Sequence, residues 1–506
     1  MNSSFSFQDL FVLDLANNHQ GSVDHALRII EEVGAVVRAN SARAAFKFQF
    51  RQLDTFVHPA HQRQSANKHI PRFLSTRLGR TDFARLTQAV RDAGMITMAT
   101  PFDEESVQLI DELGIEVVKV ASCSALDWPL LEAISRHTRP VIVSTGGLTL
   151  HDIADIVSFL DHRRVHFALM HCVSIYPTPD HQLELAQIET IRSRHREKVV
   201  GFSTHEVPDE LGAVMVAIAQ GAAILERHVG IAAGEIKLNA YSSTPAQVDA
   251  WIKAAKRARV MLGHAKRQPA PAEEIASLES LKRGVFIHDP IKAGGTLRRE
   301  DVYFAMPFEP GQLASGQWKD GIVVQRDLAK DEPVRLADVT LPPRSEKAVL
   351  FQTIHEIKAM LNEARIALNT DFRLEFSHHF GLPEFRKTGA TLIECINRGY
   401  CKKLIIQLPG QHHPSHFHKK KEESFQVLHG TLEIMLEGRR RTLLPGDIQL
   451  VPQGCWHEFW TGTGVIFEEV SSTHINNDSF YEDKRINDIP RESRKTIVNN
   501  WGRYQI

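Results

Sequence analysis

The chain has 506 residues, 42% of them hydrophobic and 24% charged, which is ordinary globular composition and enough length for more than one domain. A formal net charge of −1 gives no overall electrostatic attraction to nucleic acid or to a membrane, so neither partner is expected. Five scattered cysteines without a CxxC pair, and an N-terminus without a signal-peptide pattern, predict a cytoplasmic protein.

The first half of the chain alternates strand-like and helix-like segments. Apolar runs predict eight strands, and the segments between them carry apolar residues at three- and four-residue spacing. This count is typical of a (β/α)8 TIM barrel; a doubly wound open sheet is the alternative, but no GxGxxG follows the first strand. The predicted strands are Leu10–Ala16, Ala44–Phe50, Met95–Thr100, Glu116–Ala121, Pro140–Thr145, Val165–His171, Lys198–Ser203 and Ala222–His228.

Polar residues follow these strands, at the end of a barrel where chemistry is usually found. His205 and His228 follow two successive strands joined by a helix predicted from about Pro208 to Ala219, so a divalent metal could lie between the two imidazoles. Each residue could singly be a solvated strand end, but together they predict an anionic substrate facing a metal, because buried lysines require an anion. The other members of this set are Asp14, Asn18, Lys47, Gln49, Lys119, Ser122, Ser144, Ser174, Tyr176, Ser203 and Glu226.

Short motifs in this region carry a family resemblance. LDLANNHQG, AFKFQ, ATPFD, VVKVAS, VSTGG, HCVSIYPTP, GFSTHE and ERHV resemble the successive motifs of the sialic acid synthase (N-acetylneuraminate synthase-like) family. That family condenses phosphoenolpyruvate (PEP) with an open-chain aldose. The resemblance implies that His205 and His228 hold Mn²⁺ or Mg²⁺.

The same resemblance implies which residues would act on PEP. Asp14 stands where the family usually has Glu, and Glu226 matches an active-site carboxylate, so either could accept the proton of the attacking water. Asn18, Gln49, Ser174 and Tyr176 are further candidates for substrate contact. The residues implied to bind PEP and its phosphate are Lys47, Lys119, Ser122, Ser144 and Ser203.

Residues 269–343 resemble the antifreeze-like (SAF) domain, a small β-clip that follows the barrel in sialic acid synthases. In that family the domain crosses a domain-swapped homodimer and lends an arginine to the partner's sugar pocket, so a homodimer is expected. Here Met306 stands at the position of that arginine, and Leu238 and Asn239 stand where the family has Asp-His. Both of these differences from the family lie at positions that face the sugar in the family. The acceptor is therefore predicted to differ from N-acetylmannosamine.

The last region has short alternating strands and tight turns, which predict an all-β barrel. The spacing of Gly, His, Glu and Pro between positions 410 and 457 fits both cupin motifs, except that Thr461 replaces the terminal Asn. A basic surface including Lys419, Lys420 and Lys421 is the alternative explanation. The predicted ligands of Mn²⁺, Fe²⁺ or Zn²⁺ are His416, His418, Glu423 and His457.

Within the cupins, SHHFGLPEFRKTGAT and FEEVSSTHINNDSFYED resemble the D-lyxose isomerases, which interconvert an aldose and a ketose through an enediol. This resemblance implies two acid/base groups, one of them Lys402 or Lys403 and the other Glu468 or Glu469. Within these pairs, Lys403 and Glu468 are the preferred candidates. The alternative is that the lysines and glutamates form structural ion pairs.

The sequence therefore predicts a multidomain α/β protein: a TIM barrel (1–268), an SAF domain (269–343), a linker and helix (344–370) and a cupin (371–506). The leading hypothesis is a fused enzyme in which the cupin isomerises a ketose and the barrel condenses the aldose with PEP, forming a sialic-acid-like or Kdo-like 3-deoxy-2-ulosonic acid. A cupin that only binds sugar or stabilises a dimer is the main alternative, and a sugar-acid sensor is the third. Basic residues after the second strand, favoured as a solvated surface over a sugar-phosphate site, are Arg63, Lys68, Arg72, Arg77 and Arg80.

Overall fold

The computed structural model describes residues 5–368, 372–473 and 478–502. The chain forms two compact units, Met1–Pro269 and Ala270–Ile506. Within the described ranges, no helix combines the length and apolar character needed to cross a bilayer.

The first unit is a closed barrel of eight parallel strands in sequential order, with β1 paired to both β2 and β8. The predicted TIM barrel is therefore confirmed, and the open-sheet alternative is wrong. The strands are β1 Leu10–Asp14, β2 Ala44–Phe50, β3 Ile96–Pro101, β4 Val117–Val120, β5 Val141–Ser144, β6 Phe167–Cys172, β7 Val200–Ser203 and β8 Ile224–His228.

Helices with one apolar face pack around this barrel, and several begin at a side-chain cap, as at Ser22 and Thr149. The helix predicted from Pro208 begins only at Gly212, because the carbonyl of Pro208 accepts a hydrogen bond from buried Arg227 instead of from a helical N–H. The helices are α1 Val23–Ala39, α2 Leu53–Phe56, α3 His69–Ser75, α4 Arg80–Asp92, α5 Glu104–Glu112, α6 Trp128–Ser135, α7 Leu150–His162, α8 Gln187–Arg194, α9 Gly212–Ala219 and α10 Pro245–Leu262.

The second unit begins with α11, Ala272–Ser280, followed by a small β-region. In this region β9 and β11 form an antiparallel pair, and β10, β12 and β13 form a three-stranded sheet. Val285, Leu297 and Ile322 are part of its buried core. The strands are β9 Gly284–Ile287, β10 Thr296–Leu297, β11 Val302–Ala305, β12 Ile322–Val324 and β13 Val339–Thr340.

The rest of the second unit is an antiparallel two-sheet structure, as predicted for a cupin. The larger sheet has the order β21-β18-β23-β16-β15-β14-β25, and the smaller has the order β20-β19-β22-β17-β24. One apolar cluster joins Ile357 of α12 (Glu346–Glu363) to Leu404 and Ile466 of the larger sheet. A second cluster, which includes Phe459 and Phe467, joins the two sheets.

The elements of this β-structure, in chain order, are β14 Arg373–Ser377, β15 Ala390–Asn397, β16 Tyr400–Gln407, β17 His412–His418, β18 Glu423–Gly430, β19 Leu432–Leu436, β20 Arg439–Leu443, β21 Ile448–Val451, β22 His457–Trp460, β23 Val465–Ser472, β24 Ser479–Tyr481, α13 Lys484–Asp488 and β25 Lys495–Asn499.

Candidate active site and metal centre

The barrel contains a cavity of about 710 Å³ at the carboxyl ends of its strands, a size that suits a small-molecule ligand. The cavity brings together most of the side chains that the sequence singles out. Those lining it are Asp14, Lys47, Gln49, Lys119, Ser122, Ser144, Ser174, Tyr176, Ser203, His205, Glu226 and His228.

The period-two alternation of strand side chains explains why these groups share one layer. Val12 and Ile224 lie in the apolar cluster inside the barrel. Two residues later on the same strands, Asp14 and Glu226 line the cavity. A polar layer thus lies directly above an apolar one, and the apolar layer keeps water from the floor of the site.

Lys47 lies at the centre of the polar layer, where it is only 4% exposed. Its Nζ donates a hydrogen bond to Glu226 Oε1 at 2.8 Å and lies 3.0 Å from Asp14 Oδ2. Burial opposes a charged lysine, but the two carboxylates raise the pKa of Lys47 above its usual value. Burial would likewise raise the pKa of Asp14, yet Lys47 and His228 hold it below its usual value. Lys47, Asp14 and Glu226 are therefore all charged at neutral pH.

Lys119 is the second buried lysine, 2% exposed. Its Nζ donates to Ser144 Oγ at 2.5 Å and lies 3.9 Å from Glu226 Oε2. Burial would raise the pKa of Glu226, but Lys119 and Lys47 together lower it. The Ser203 hydroxyl also donates to Glu226, at 3.3 Å. Burial lowers the pKa of Lys119, while Glu226 opposes this effect. Two lysines and the Ser203 hydroxyl thus lie around Glu226, with Ser144 bonded to Lys119, an arrangement that can bind a phosphate and a carboxyl group of a substrate.

His205 and His228 lie side by side, with ring centres 5.3 Å apart. The Nδ1 of His205 bonds the Val173 carbonyl at 2.8 Å, which orients the ring and leaves Nε2 for a ligand. The buried Nδ1 of His228 has no hydrogen-bond partner among the residues that the structure describes, although Asp14 Oδ2 is 3.4 Å away. Burial lowers the pKa of His228, so its ring is neutral, as a metal ligand must be. These residues fit a divalent cation that takes its remaining ligands from substrate or water.

Asn18 is not among the residues that line the cavity, and its predicted contact with substrate stays a prediction. Its amide donates to the Val229 carbonyl at 2.8 Å and to Ser242 Oγ at 2.9 Å, and its Oδ1 accepts from Asn239 at 3.2 Å. Because these bonds use both amide hydrogens and one oxygen lone pair, Asn18 holds the segment after β8 in place.

The second site lies in the cupin, where His416, His418 and His457 are buried. In the described part of the chain, these three form the one group of three or more His, Cys, Asp or Glu whose ligand atoms all lie within 4.8 Å of one another. Glu423 contacts two of them, with Oε1 3.4 Å from His418 Nε2 and Oε2 3.3 Å from His457 Nε2. Three imidazoles and a carboxylate fit a divalent metal.

Lys421 is a residue that the sequence pattern does not reveal, because Lys419, Lys420 and Lys421 together resemble a solvated basic surface. Its side chain is only 5% exposed and forms an ion pair with Glu423. Its Nζ also donates to Glu469 Oε1 at 3.0 Å. The pKa of Lys421 is raised, because Glu423 and Glu469 outweigh the effect of burial.

Of the predicted acid/base residues, Lys403 lines the cupin cavity but Glu468 does not. Side chains alternate along β23, so Glu469 faces the cavity while Glu468 pairs with Lys402 at 3.0 Å on the other face of the sheet. The choice of Glu468 over Glu469 is therefore corrected by the structure. The cavity itself holds about 50 Å³, room for a few water molecules, so a sugar requires its lining side chains to move.

Comparison with known proteins identifies both regions. Residues 35–267 match the NeuB family, and residues 404–466 match the Cupin domain family. The predicted sialic acid synthase-like barrel and the predicted cupin are thus confirmed. The SAF domain and the likeness to D-lyxose isomerases stay predictions.

Named relatives add detail to the match of the barrel. A solved structure described as spore coat polysaccharide biosynthesis protein E from Chromobacterium violaceum is 41% identical, and the match covers 66% of this chain and 100% of that chain with a TM-score of 0.61. N-acetylneuraminate-9-phosphate synthase from Mus musculus is 24% identical over 56% of this chain and 80% of that protein. N,N'-diacetyllegionaminic acid synthase from Campylobacter jejuni is 25% identical over 43% of this chain and 66% of that protein.

Proposed function

The chain belongs to the NeuB family, and we propose on that premise that its barrel joins PEP to an aldose, forming a 3-deoxy-2-ulosonic acid of the nonulosonic or Kdo-like type. The observation that carries this proposal is the pair of buried lysines, Lys47 and Lys119, converging on Glu226 at the floor of the cavity. Charged side chains are expensive to bury, and a phosphorylated carboxylic acid is a ligand that offsets this cost. Two relatives of the barrel are, by name, synthases of N-acetylneuraminate 9-phosphate and of N,N'-diacetyllegionaminic acid.

The polar layer would hold PEP by both of its anionic groups. Lys119 and Ser144, already hydrogen-bonded, present a cation and a hydroxyl to the phosphate, and Ser122 and Ser203 line the same cavity. Lys47 would face the carboxylate. Holding PEP in this way fixes the direction of its C3 carbon, which is the nucleophile.

The acceptor would lie on the histidine side. A divalent cation, Mn²⁺ or Mg²⁺, held by His205 and His228 would polarise the aldehyde oxygen of the aldose. Tyr176 and Tyr241 pack against these histidines, with ring-centre distances of 4.2 Å from Tyr176 to His205 and 5.2 Å from Tyr241 to His228. The two phenol rings thus limit how the aldose can approach.

The electron pair of the PEP double bond forms the new carbon–carbon bond from C3 to the aldehyde carbon and leaves an oxocarbenium-like centre at C2, and the aldehyde oxygen takes a proton from solvent. Water then adds to C2, and its proton passes to Glu226 or Asp14, both of which are ionised at neutral pH. The C2 hydroxyl then gives up its proton to the departing phosphate as the C2–O bond to phosphate breaks, so the product keeps a keto group at C2 and inorganic phosphate is released.

Phosphate release from PEP by the full-length protein with Mn²⁺ tests this proposal. Free and phosphorylated aldoses would be supplied, and the 3-deoxy-2-ulosonic acid would be identified by mass spectrometry. Release that requires both the aldose and the metal supports the proposal. PEP that does not bind in a calorimetric titration contradicts it.

We also propose that the small β-region, residues 284–340, is the SAF domain and that the protein is a homodimer. Met306 is 54% exposed, and a thioether cannot donate a hydrogen bond to a sugar as the family's arginine does. Asn239, where the sequence also differs from the family pattern, donates a hydrogen bond to Asn18. The proposal of an acceptor other than N-acetylmannosamine rests on these two positions. Sedimentation equilibrium tests the dimer, and a monomer at assay concentration contradicts it.

For the cupin, we propose ketose–aldose isomerisation that supplies the acceptor. The supporting observation is Glu469, a buried carboxylate that accepts a hydrogen bond from Lys421 beside the histidine cluster. Burial would raise the pKa of Glu469, but Lys403 and Lys421 lower it, so the group is ionised. It can take a proton from a carbon next to a carbonyl and return it to the neighbouring carbon, while a lysine protonates the carbonyl oxygen and recovers a proton from the hydroxyl that becomes the new carbonyl.

Conversion of a ketose to the matching aldose by the full-length protein, without PEP, tests this second activity. If no pentose or hexose is converted, with or without phosphate, the cupin binds sugar or stabilises the protein instead.

A further inference from the structure

Arg51 lies in the barrel cavity with a charge that the cavity does not neutralise. Its guanidinium carbon is 4.1 Å from the centre of the Phe73 ring and 3.6 Å from that of Phe102, so two aromatic faces hold it. One Nη2–H donates to Gln49 Oε1 at 3.1 Å. The buried Nε has no hydrogen-bond partner among the described residues. Such a donor is costly unless a ligand supplies an acceptor.

The acidic residues of the cavity are already engaged. Asp14 and Glu226 both lie within 3.0 Å of Lys47. Across the part of the chain that the structure describes, no carboxylate forms an ion pair with Arg51. Burial lowers the pKa of Arg51 to about 10, which leaves it charged at neutral pH. The charge of Arg51 is therefore available to a ligand.

Further basic groups come from the same part of the chain as Phe73. Lys68 and His69, at the start of α3, also line the cavity. Gln49 connects Arg51 to the histidine pair. Its Nε2 donates a hydrogen bond to Asp14 Oδ2 at 3.3 Å, and this Asp14 oxygen lies 3.4 Å from His228 Nδ1. Arg51, Lys68 and His69 thus line the same cavity as the His205–His228 pair. Gln49 and Asp14 lie between Arg51 and that pair.

We propose, building on the condensation proposed above, that Arg51 binds an anionic group of the aldose acceptor, a phosphate or a carboxylate remote from the aldehyde. The substrate class is then an anionic aldose. A guanidinium can donate parallel N–H bonds to either anion, and the aromatic clamp fixes its plane before the ligand arrives. PEP does not need this residue, because Lys47, Lys119 and Ser144 already form a site for its two anionic groups.

The test compares full-length wild type with Arg51→Met, a change that keeps a flexible apolar side chain between the two rings but removes every N–H. Initial rates of phosphate release from PEP are measured with D-mannose, D-mannose 6-phosphate and D-mannuronate, and with D-arabinose and D-arabinose 5-phosphate. We expect the wild-type kcat/KM for an anionic aldose to exceed that for its neutral parent by about tenfold or more, and Arg51→Met to bring this ratio close to one. Comparing kcat/KM for the sugar phosphates with that for D-mannuronate identifies whether Arg51 binds a phosphate or a carboxylate.

Arg163→Met is the matched control, because Arg163 also stacks on a phenylalanine, with 3.6 Å to the Phe159 ring centre, but lies outside the barrel cavity. It should keep the wild-type ratio. The proposal is overturned if Arg51→Met keeps the ratio, if wild type prefers neutral aldoses, or if Arg51→Met instead raises the KM for PEP.

Failure of the condensation itself would look different, since wild type would then release no phosphate with any aldose. Calorimetric titration of wild type and Arg51→Met with D-mannose 6-phosphate and with D-mannose would still decide the role of Arg51. Preference for the phosphate in wild type alone supports the proposal, and equal behaviour of the two proteins overturns it.

Discussion

The cavity of the barrel and the cavity of the cupin differ in the groups that they present to a ligand. The barrel cavity, at about 710 Å³, offers space, two imidazoles and two buried lysines. The cupin cavity, at about 50 Å³, offers three imidazoles in mutual contact and a carboxylate that already has a lysine as partner. The barrel is thus preorganised for an anionic substrate, and the cupin is preorganised for an ion.

A metal ion is therefore expected to behave differently at the two sites. Two histidines leave most coordination positions of a cation open, so substrate can complete the barrel site and the ion should exchange readily. Three histidines with Glu423 form a nearly complete set and should retain their ion through purification. The following changes test this contrast, in order of expected effect.

Replacing Lys119 should have the largest effect. Lys119→Met removes a buried cation that would face the phosphate of PEP, and we expect phosphate release to fall by about a thousandfold. Steady-state kinetics with saturating aldose checks this, with Lys253→Met as the control because Lys253 is exposed on α10. Equal activity of the two variants would mean that the barrel lysines are structural.

Removing two cupin histidines should separate the sites. In His416→Ala with His418→Ala, we expect tightly bound metal, measured by elemental analysis, to fall by one ion per chain. Use of a ketose should be lost while condensation of the matching aldose continues. The exposed pair His264→Ala with His288→Ala is the control. Loss of aldose condensation as well would contradict the separation of the two activities.

Neighbouring lysines offer a matched pair in the cupin, since Lys421 is buried and Lys420 is exposed. Lys421→Met leaves Glu423 and Glu469 without their shared cation, so we expect the metal-free protein to lose about 3 kcal/mol of unfolding free energy. Lys420→Met should lose almost none. Urea unfolding measures both, and added metal should reduce the loss because the ion replaces the charge. Equal losses would show that Lys421 is not held between the carboxylates.

The smallest effect concerns the acid stability of the barrel. The folded-state pKa of Asp14 is lowered, so its contribution to stability is complete above the usual carboxyl pKa of about 4 and is lost as the pH falls through the lower, folded value. Asp14→Asn lacks this contribution. Between pH 5 and pH 3 the wild type should therefore lose more unfolding free energy than the variant, by on the order of 1 kcal/mol. Parallel losses would contradict the network around Lys47.

The periodicity of apolar residues and the spacing of polar ones predicted the regular parts of this structure. The eight strands, and the placement of Asp14 and Glu226 two residues beyond apolar positions, follow from alternation within parallel strands. His416 and His418 follow from the same rule in the cupin.

The same rule could not choose between Glu468 and Glu469. Both faces of β23 are apolar, because Ile466 packs with the cluster of α12 and Phe467 lies in the cluster between the sheets. Lys421 was missed because three consecutive lysines resemble a solvated surface. Arg51 and its two aromatic partners lie far apart in sequence, so only the fold brings them together.

The ion pair of Lys421 with Glu423 has a consequence for the order of events during biosynthesis. In many metal sites the ligands are held together only by the ion, and the chain remains unfolded without it. Here the polypeptide carries its own counter-ion, which neutralises the buried carboxylate before any metal arrives. We therefore expect the cupin to fold first and to take up any metal afterwards, so a cell short of metal would accumulate a folded, metal-free reserve of this domain.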